Sequence, residues 1–129
     1  MIGDSPHEVS SPEDLRRRTK EFALRIIKLF RALPKTNEAR ILGRQVLRSG
    51  TAVAANYRSA CRGRSRADFI SKIGITVEET DETVFWLELM VDAGIFKRPR
   101  LESLIAEANE LLRIFQATRT TARRGIGNL

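Results

Sequence analysis

Apolar positions fall along this chain in four long runs, each with helical spacing. The first is Leu15, Thr19, Phe22, Ile26, Leu29 and Leu33, with Ala23, Ile27 and Phe30 as a second apolar flank. Steps of three and four keep such residues on one side of a helix. The second run is Leu42, Val46, Ser49, Val53, Asn56 and Ala60; it is small and in places polar, which suits close helix approach. The third is Ile73, Val77, Thr80, Val84, Leu87 and Val91, widened by Phe69, Ile70, Phe85 and Met90. The fourth is Leu101, Leu104, Ala108, Leu111, Phe115, Thr118 and Ala122.

Punctuation between the runs sets the boundaries. Ser11-Pro12-Glu13-Asp14 reads as an N-cap, a proline at N1 and acids in the first turn. Pro34 to Thr36 is a loop, and the second helix starts at Asn37 or Glu38 and runs to Arg62. Gly63 suits a left-handed C′ position, and Ser65 with Asp68 three residues on makes a capping-box-like start. The third helix then spans about 65 to 93 and closes on Gly94, and Lys97-Arg98-Pro99 opens the fourth. Connections this short make consecutive helices antiparallel neighbours. The predicted architecture is all-α, an antiparallel up-down-up-down four-helix bundle over residues 11–124, with a disordered tail at 1–10 and a loose tail at 125–129. Gly50 and Gly74 fall inside predicted helices and read as points of close backbone approach. Asn56, on an apolar seam, reads as a structural hydrogen-bonding residue.

The stretch SGTAVAANYRSACRGRSRADFISKIG followed by EETDETVFWLEL carries a family resemblance. It is similar to the bacterial four-helix-bundle proteins first noticed as products of intervening sequences in large-subunit ribosomal RNA genes. Asn56-Tyr57-Arg58, Ser65, Asp68-Phe69, Ile73-Gly74 and Trp86-Leu87-Glu88-Leu89 fall in the family's order, over a span of roughly residues 21–115. Ser59 departs from the acidic residue many relatives carry there. The resemblance implies a bundle that assembles into a ring, a homo-oligomer and specifically a pentamer, with no settled activity. The chain also resembles the accessory variability proteins of diversity-generating retroelements, which implies a basic surface that binds nucleic acid and a reverse transcriptase.

Charge sharpens this picture. The net charge is +7, from 23 Lys and Arg against 16 Asp and Glu, which points to a polyanionic partner. In an up-down bundle the start of helix 1, the turn between helices 2 and 3, and the end of helix 4 share one pole. That pole collects Arg16, Arg17, Arg18, Lys20, Arg58, Arg62, Arg64, Arg66, Arg119, Arg123 and Arg124, eleven of the 23 basic residues. The ten arginines are the candidate nucleic-acid-binding residues, since the guanidinium fork suits phosphate oxygens. The plainer account is dipole stabilisation at helix C-termini, which fits Arg62, Arg123 and Arg124 but not Arg16 to Arg18, near a helix start.

Other chemistry finds little support. Helix 3 carries Glu78, Glu79, Asp81, Glu82 and Glu88, but di-metal bundle sites need Glu-x-x-His, and the one histidine, His7, lies in the tail. Interhelix pairing is expected instead: Arg48 near Glu79, and Arg44 near Glu82 or Thr83. Trp86 and Tyr57 read as core or interface anchors before base-stacking platforms. Cys61 sits among arginines, yet no histidine is near it in sequence to act as a base, and it reads as a small helix-interface residue. We expect no catalytic residues, no cofactor and no metal, since P-loop, dinucleotide-turn and nucleophile-elbow motifs are missing. No run is long and apolar enough to span a membrane, and the acidic start lacks signal-peptide character, so a cytoplasmic location is expected. The expected function is non-enzymatic binding of RNA or DNA backbone at the arginine pole. The rival is a protein-interaction scaffold whose partner presents an acidic surface; an enzyme ranks last.

Overall fold

A computed structural model describes residues 10–127 of the 129-residue chain. Four helices follow one another: α1 Pro12–Arg31, α2 Asn37–Cys61, α3 Arg66–Asp92 and α4 Arg98–Gly127. There is no strand among the described residues. Each of the first three helices starts on a hydroxyl cap that satisfies an otherwise orphaned N–H. Ser11 Oγ accepts from the Asp14 amide at 3.1 Å, Thr36 Oγ1 from Ala39 at 3.3 Å and Ser65 Oγ from Asp68 at 3.0 Å. Asp68 returns the favour one residue further back than a capping box requires: its Oδ2 accepts from the Arg64 amide at 3.2 Å.

The two glycine stops behave differently. Gly94, at φ +76°, is the only described residue in the left-handed region. Around it, Ile95 N–H donates to Met90 O at 2.9 Å and Gly94 N–H to Val91 O at 3.0 Å, the paired bonds of a Schellman stop. Gly63, expected to do the same, does not enter that region. It is wanted for space: a Cβ there would lie 3.1 Å from Ala60 O and 3.3 Å from both Asp68 Oδ2 and Phe69 N. The loose tail expected from residue 125 starts later, because α4 continues to Gly127. The tail expected at 1–10 lies, apart from Ser10, outside the described residues.

Each helix turns its predicted seam inward. Phe22, Ile26, Val46, Val53, Ile73, Leu87, Met90, Leu111 and Phe115 are all less than 2% exposed. Buried hydroxyls on the seams are satisfied within their own helices: Thr19 donates to Leu15 O at 2.8 Å, Thr76 to Lys72 O at 2.9 Å and Thr80 to Thr76 O at 2.6 Å. Thr83 bridges helices, lying 2.7 Å from Glu79 O and 2.8 Å from Ser49 Oγ on α2. Asn56 is half-buried and donates to Ala52 O at 2.9 Å, a local structural role.

Sequential helices pack broadly, while α1 and α4 touch over a narrow strip. Polar side chains hold that strip: Arg18 grips Glu107, and Arg25 Nη2 donates to Ser103 Oγ at 3.0 Å. Between α2 and α3, Arg48 pairs with Glu79 as expected but also takes Glu82, so the expected Arg44–Glu82 pair does not form. Glu79 and Glu82 stand three residues apart on one face, within reach of a single guanidinium. Phe85 also departs from expectation: it is 55% exposed, 5.0 Å edge-on from the Trp86 ring. It stands one residue, about 100° of helix rotation, beyond the buried Val84. With Ile75 41% exposed as well, α3 is apolar on its outer side too.

Candidate nucleic-acid interface

The antiparallel order brings the start of α1, the end of α2, the start of α3 and the end of α4 to one pole. Contacts across the helices fix this. The Arg66 side chain lies over Gly125, its Nη1 occupying the place a Cβ would take. Arg119 reaches across from α4 to α3, its Nη1 4.0 Å from where a Cβ of Gly74 would stand. Gly74, read from the sequence as a point of close backbone approach, thus meets only the tip of a flexible side chain. Gly50 does make a close approach, with Ile26 Cγ1 2.8 Å from where its Cβ would be.

That approach draws α1 onto α2 and shapes a groove between them toward the arginine pole. The groove encloses about 740 Å³ and is lined by Arg16 and Lys20 from α1 and by Thr51, Ala54, Ala55, Arg58, Cys61 and Arg62 from α2. Positions 51, 54, 55, 58 and 62 repeat at helical steps, so small residues form the floor and cations the rim. Beneath the floor Tyr57 is 3% exposed, its ring centroid 5.2 Å from that of Phe115. Burial first, then the neighbouring Cys61 thiol, push the Tyr57 hydroxyl well above its ordinary pKa, so it stays neutral. It is a core anchor.

The ten candidate arginines divide by what holds them. Arg18 is not free for a ligand: its Nε donates to Glu107 Oε2 at 3.1 Å and its Nη2 to Oε1 at 2.8 Å. Both partners are about three-quarters covered, and the pairing raises the Arg18 pKa further. Arg18 is a tie between α1 and α4, and this corrects its place among the binding candidates. Its neighbours point elsewhere because each residue turns the helix by about 100°. Arg17 lies between Asp14 at 3.2 Å and Glu21 at 3.6 Å, and Arg16 lies 3.7 Å from Glu13. These are exposed pairs, worth about 0–1 kcal/mol and easily exchanged for a phosphate. Arg58, Arg62, Arg64, Arg66, Arg119, Arg123 and Arg124 have no ion-pair partner among the described residues. The acid in their midst, Asp68, is engaged by the Arg64 amide and by Lys72 Nζ at 3.2 Å.

One feature of the pole escaped the sequence: Thr51, Ala54 and Ala55 line the groove, although their spacing beside Arg58 and Arg62 was there to be read. Lys20, placed at this pole by the sequence but left out of the binding candidates, stands on the groove rim with Arg16. Trp86, by contrast, stands twenty residues along α3 from Arg66, about 30 Å at 1.5 Å per residue. It cannot stack on a base held at the arginine end.

Residues 14–117 match the 23S rRNA-intervening sequence protein family. A similar solved structure is the 1.70 Å crystal structure of a protein of unknown function from the S23 ribosomal protein family of Bacteroides thetaiotaomicron. The two chains are 33% identical, with a TM-score of 0.79 over 84% of this chain and 97% of that one. No curated protein matches the sequence. The family match spans most of the described bundle, from the first turn of α1 into α4 as far as residue 117, short of Arg119, and the chain is a member of the 23S rRNA-intervening sequence protein family.

Proposed function

We propose that this protein is a non-enzymatic, oligomeric bundle of the cytoplasm that binds the backbone of RNA or DNA through its arginine pole. The observation that carries the reading is the set of seven arginines, from Arg58 to Arg124, gathered from three helices and the α2–α3 turn with no carboxylate partner among the described residues. Crowded like charges without counter-ions cost stability, and a phosphate chain relieves that cost while releasing its own counter-ions. The family name places its members in intervening sequences of 23S rRNA, which makes ribosomal RNA the first polyanion to test. Assembly of copies is supported by the outer side of α3. There Phe85 and Ile75 are exposed.

Filter binding of a ribosomal RNA fragment and of a random DNA duplex across 50–300 mM salt tests the function. If four to six phosphates are engaged, log K falls against log salt with a slope of about −3 to −5. Arg62→Glu, Arg64→Glu and Arg66→Glu together abolish binding and leave helicity intact. No binding at the lowest salt would falsify the proposal.

A further inference from the structure

Resting on that reading, we infer that the α1–α2 groove is the seat of a single nucleic-acid strand, gripped by its phosphodiester backbone. Arg58 and Arg62 stand one helical turn apart on α2, and Arg16 and Lys20 stand one turn apart on α1. Each pair is separated by about 6 Å along its axis, a step that successive phosphates of an extended strand can match. The two pairs face each other across the groove, so they form two cationic rails. Between the rails lie Thr51, Ala54, Ala55 and Cys61, side chains short enough to let a sugar-phosphate chain settle between the helices. At about 740 Å³ the groove falls in the size range of a ligand site and has room for a short stretch of one strand. A duplex is too bulky to enter a depression of that volume and can only rest on the rim.

The chemistry also sets the selectivity. No aromatic residue among the described residues lines the groove, and no side chain there presents a planar amide edge to a base. The strand is held chiefly by phosphate contacts, with salt decisive. Among the described residues, Arg16 alone of the groove rim has a competing carboxylate, Glu13 at 3.7 Å, and that pair is exposed and readily exchanged.

Cys61, the single cysteine, lies in the groove and serves as its footprinting reporter. The experiment measures the rate of Cys61 alkylation by iodoacetamide, which is uncharged, with and without saturating oligomers. A 20-mer of thymidine, a 20-mer of uridine and a 20-base-pair duplex are compared, the first two showing which sugar is preferred. Should Cys61 react too slowly, Ala55→Cys in a Cys61→Ser background puts the thiol at an exposed groove position.

Single strands are expected to slow alkylation at least fivefold, and the duplex less than twofold. Arg58→Ala with Arg62→Ala lowers the single-strand salt slope by about 1.4, two contacts at about 0.7 each. Ala55→Trp, which fills the groove without changing charge, weakens single strands and spares the duplex. Equal protection by duplex overturns the single-strand assignment. Tight binding of all three oligomers with no protection moves the ligand to the other arginines and overturns the groove alone. Absence of any binding takes down the arginine-pole reading and the groove together.

Discussion

Gly50 and Gly74 sit in mid-helix and look alike in the sequence, yet the structure assigns them opposite responses to alanine. Each replacement gains about 0.8–1.0 kcal/mol of helix propensity, part of it from restricting the unfolded chain. At Gly74 nothing opposes the gain, since the nearest atom is the flexible Arg119 tip at 4.0 Å. At Gly50 the new methyl would lie 2.8 Å from Ile26 Cγ1, 3.0 Å from Cγ2 and 3.2 Å from Cβ. Ile26 is fully buried and β-branched, so turning χ1 only exchanges one branch for the other. The helices must move apart, an overpacking cost of about 1–3 kcal/mol. The net effect is a loss of up to about 2 kcal/mol for Gly50→Ala and a gain of about 1 kcal/mol for Gly74→Ala. For a chain of 129 residues each kcal/mol moves Tm by about 3–5 °C. The assay is thermal melting followed by circular dichroism at 222 nm, at one protein concentration because self-association of the proposed kind would shift Tm. A Gly50→Ala protein melting at or above the parent would refute the reasoning, as would a Gly74→Ala protein melting below it.

Arg18→Ala should destabilise the fold by about 1–3 kcal/mol, the range for charged hydrogen bonds with a partner left behind, while leaving nucleic-acid affinity unchanged; Arg62→Ala should do the reverse, and urea titration beside filter binding reads both. Phe115→Ala removes a fully buried ring packed at a tilt against Tyr57 and should cost about 3–5 kcal/mol, read from the urea midpoint. Asp68 has a lowered pKa, first through the Arg64 amide and then through Lys72; Asp14 has one through Arg17 and then Ser11. A carboxylate whose folded pKa is depressed stabilises the fold above its unfolded value near 3.9, and that contribution disappears as pH falls through the folded value. Tm should therefore show little change from these groups between pH 7 and 5 and fall below about pH 4, with a shallower fall in Asp68→Asn.

Much of the fold was legible because helical periodicity and capping chemistry are local. Leu15, Phe22, Ile26, Val53, Ile73, Leu87 and Phe115 were placed by spacing alone, and Ser11, Ser65 and Gly94 marked real ends. What was not legible depends on how the helices are rotated against each other. Arg16, Arg17 and Arg18 form one basic run in the sequence, but successive turns of about 100° send them to a groove, to solvent and to Glu107. Gly50 is crowded as its mid-helix glycine suggested, while the open space at Gly74 is likewise a property of neighbours on other helices. Gly63 misled for a related reason: a glycine after a helix suggests a left-handed stop, while here its missing side chain makes room for Asp68 and Phe69. The pole itself followed from topology, and its groove did not, since that required knowing how tightly α1 lies on α2.

The placement of Trp86 has an optical consequence. It is the chain's one tryptophan, half-buried beside the exposed Phe85 and about 30 Å from the guanidinium-rich end. Its emission is therefore too remote for direct quenching by a base seated at that end, while a second copy covering Phe85 would shift it to the blue. One cuvette thus separates self-association from ligand capture: colour reports the former, and any change on adding nucleic acid means the two events are coupled.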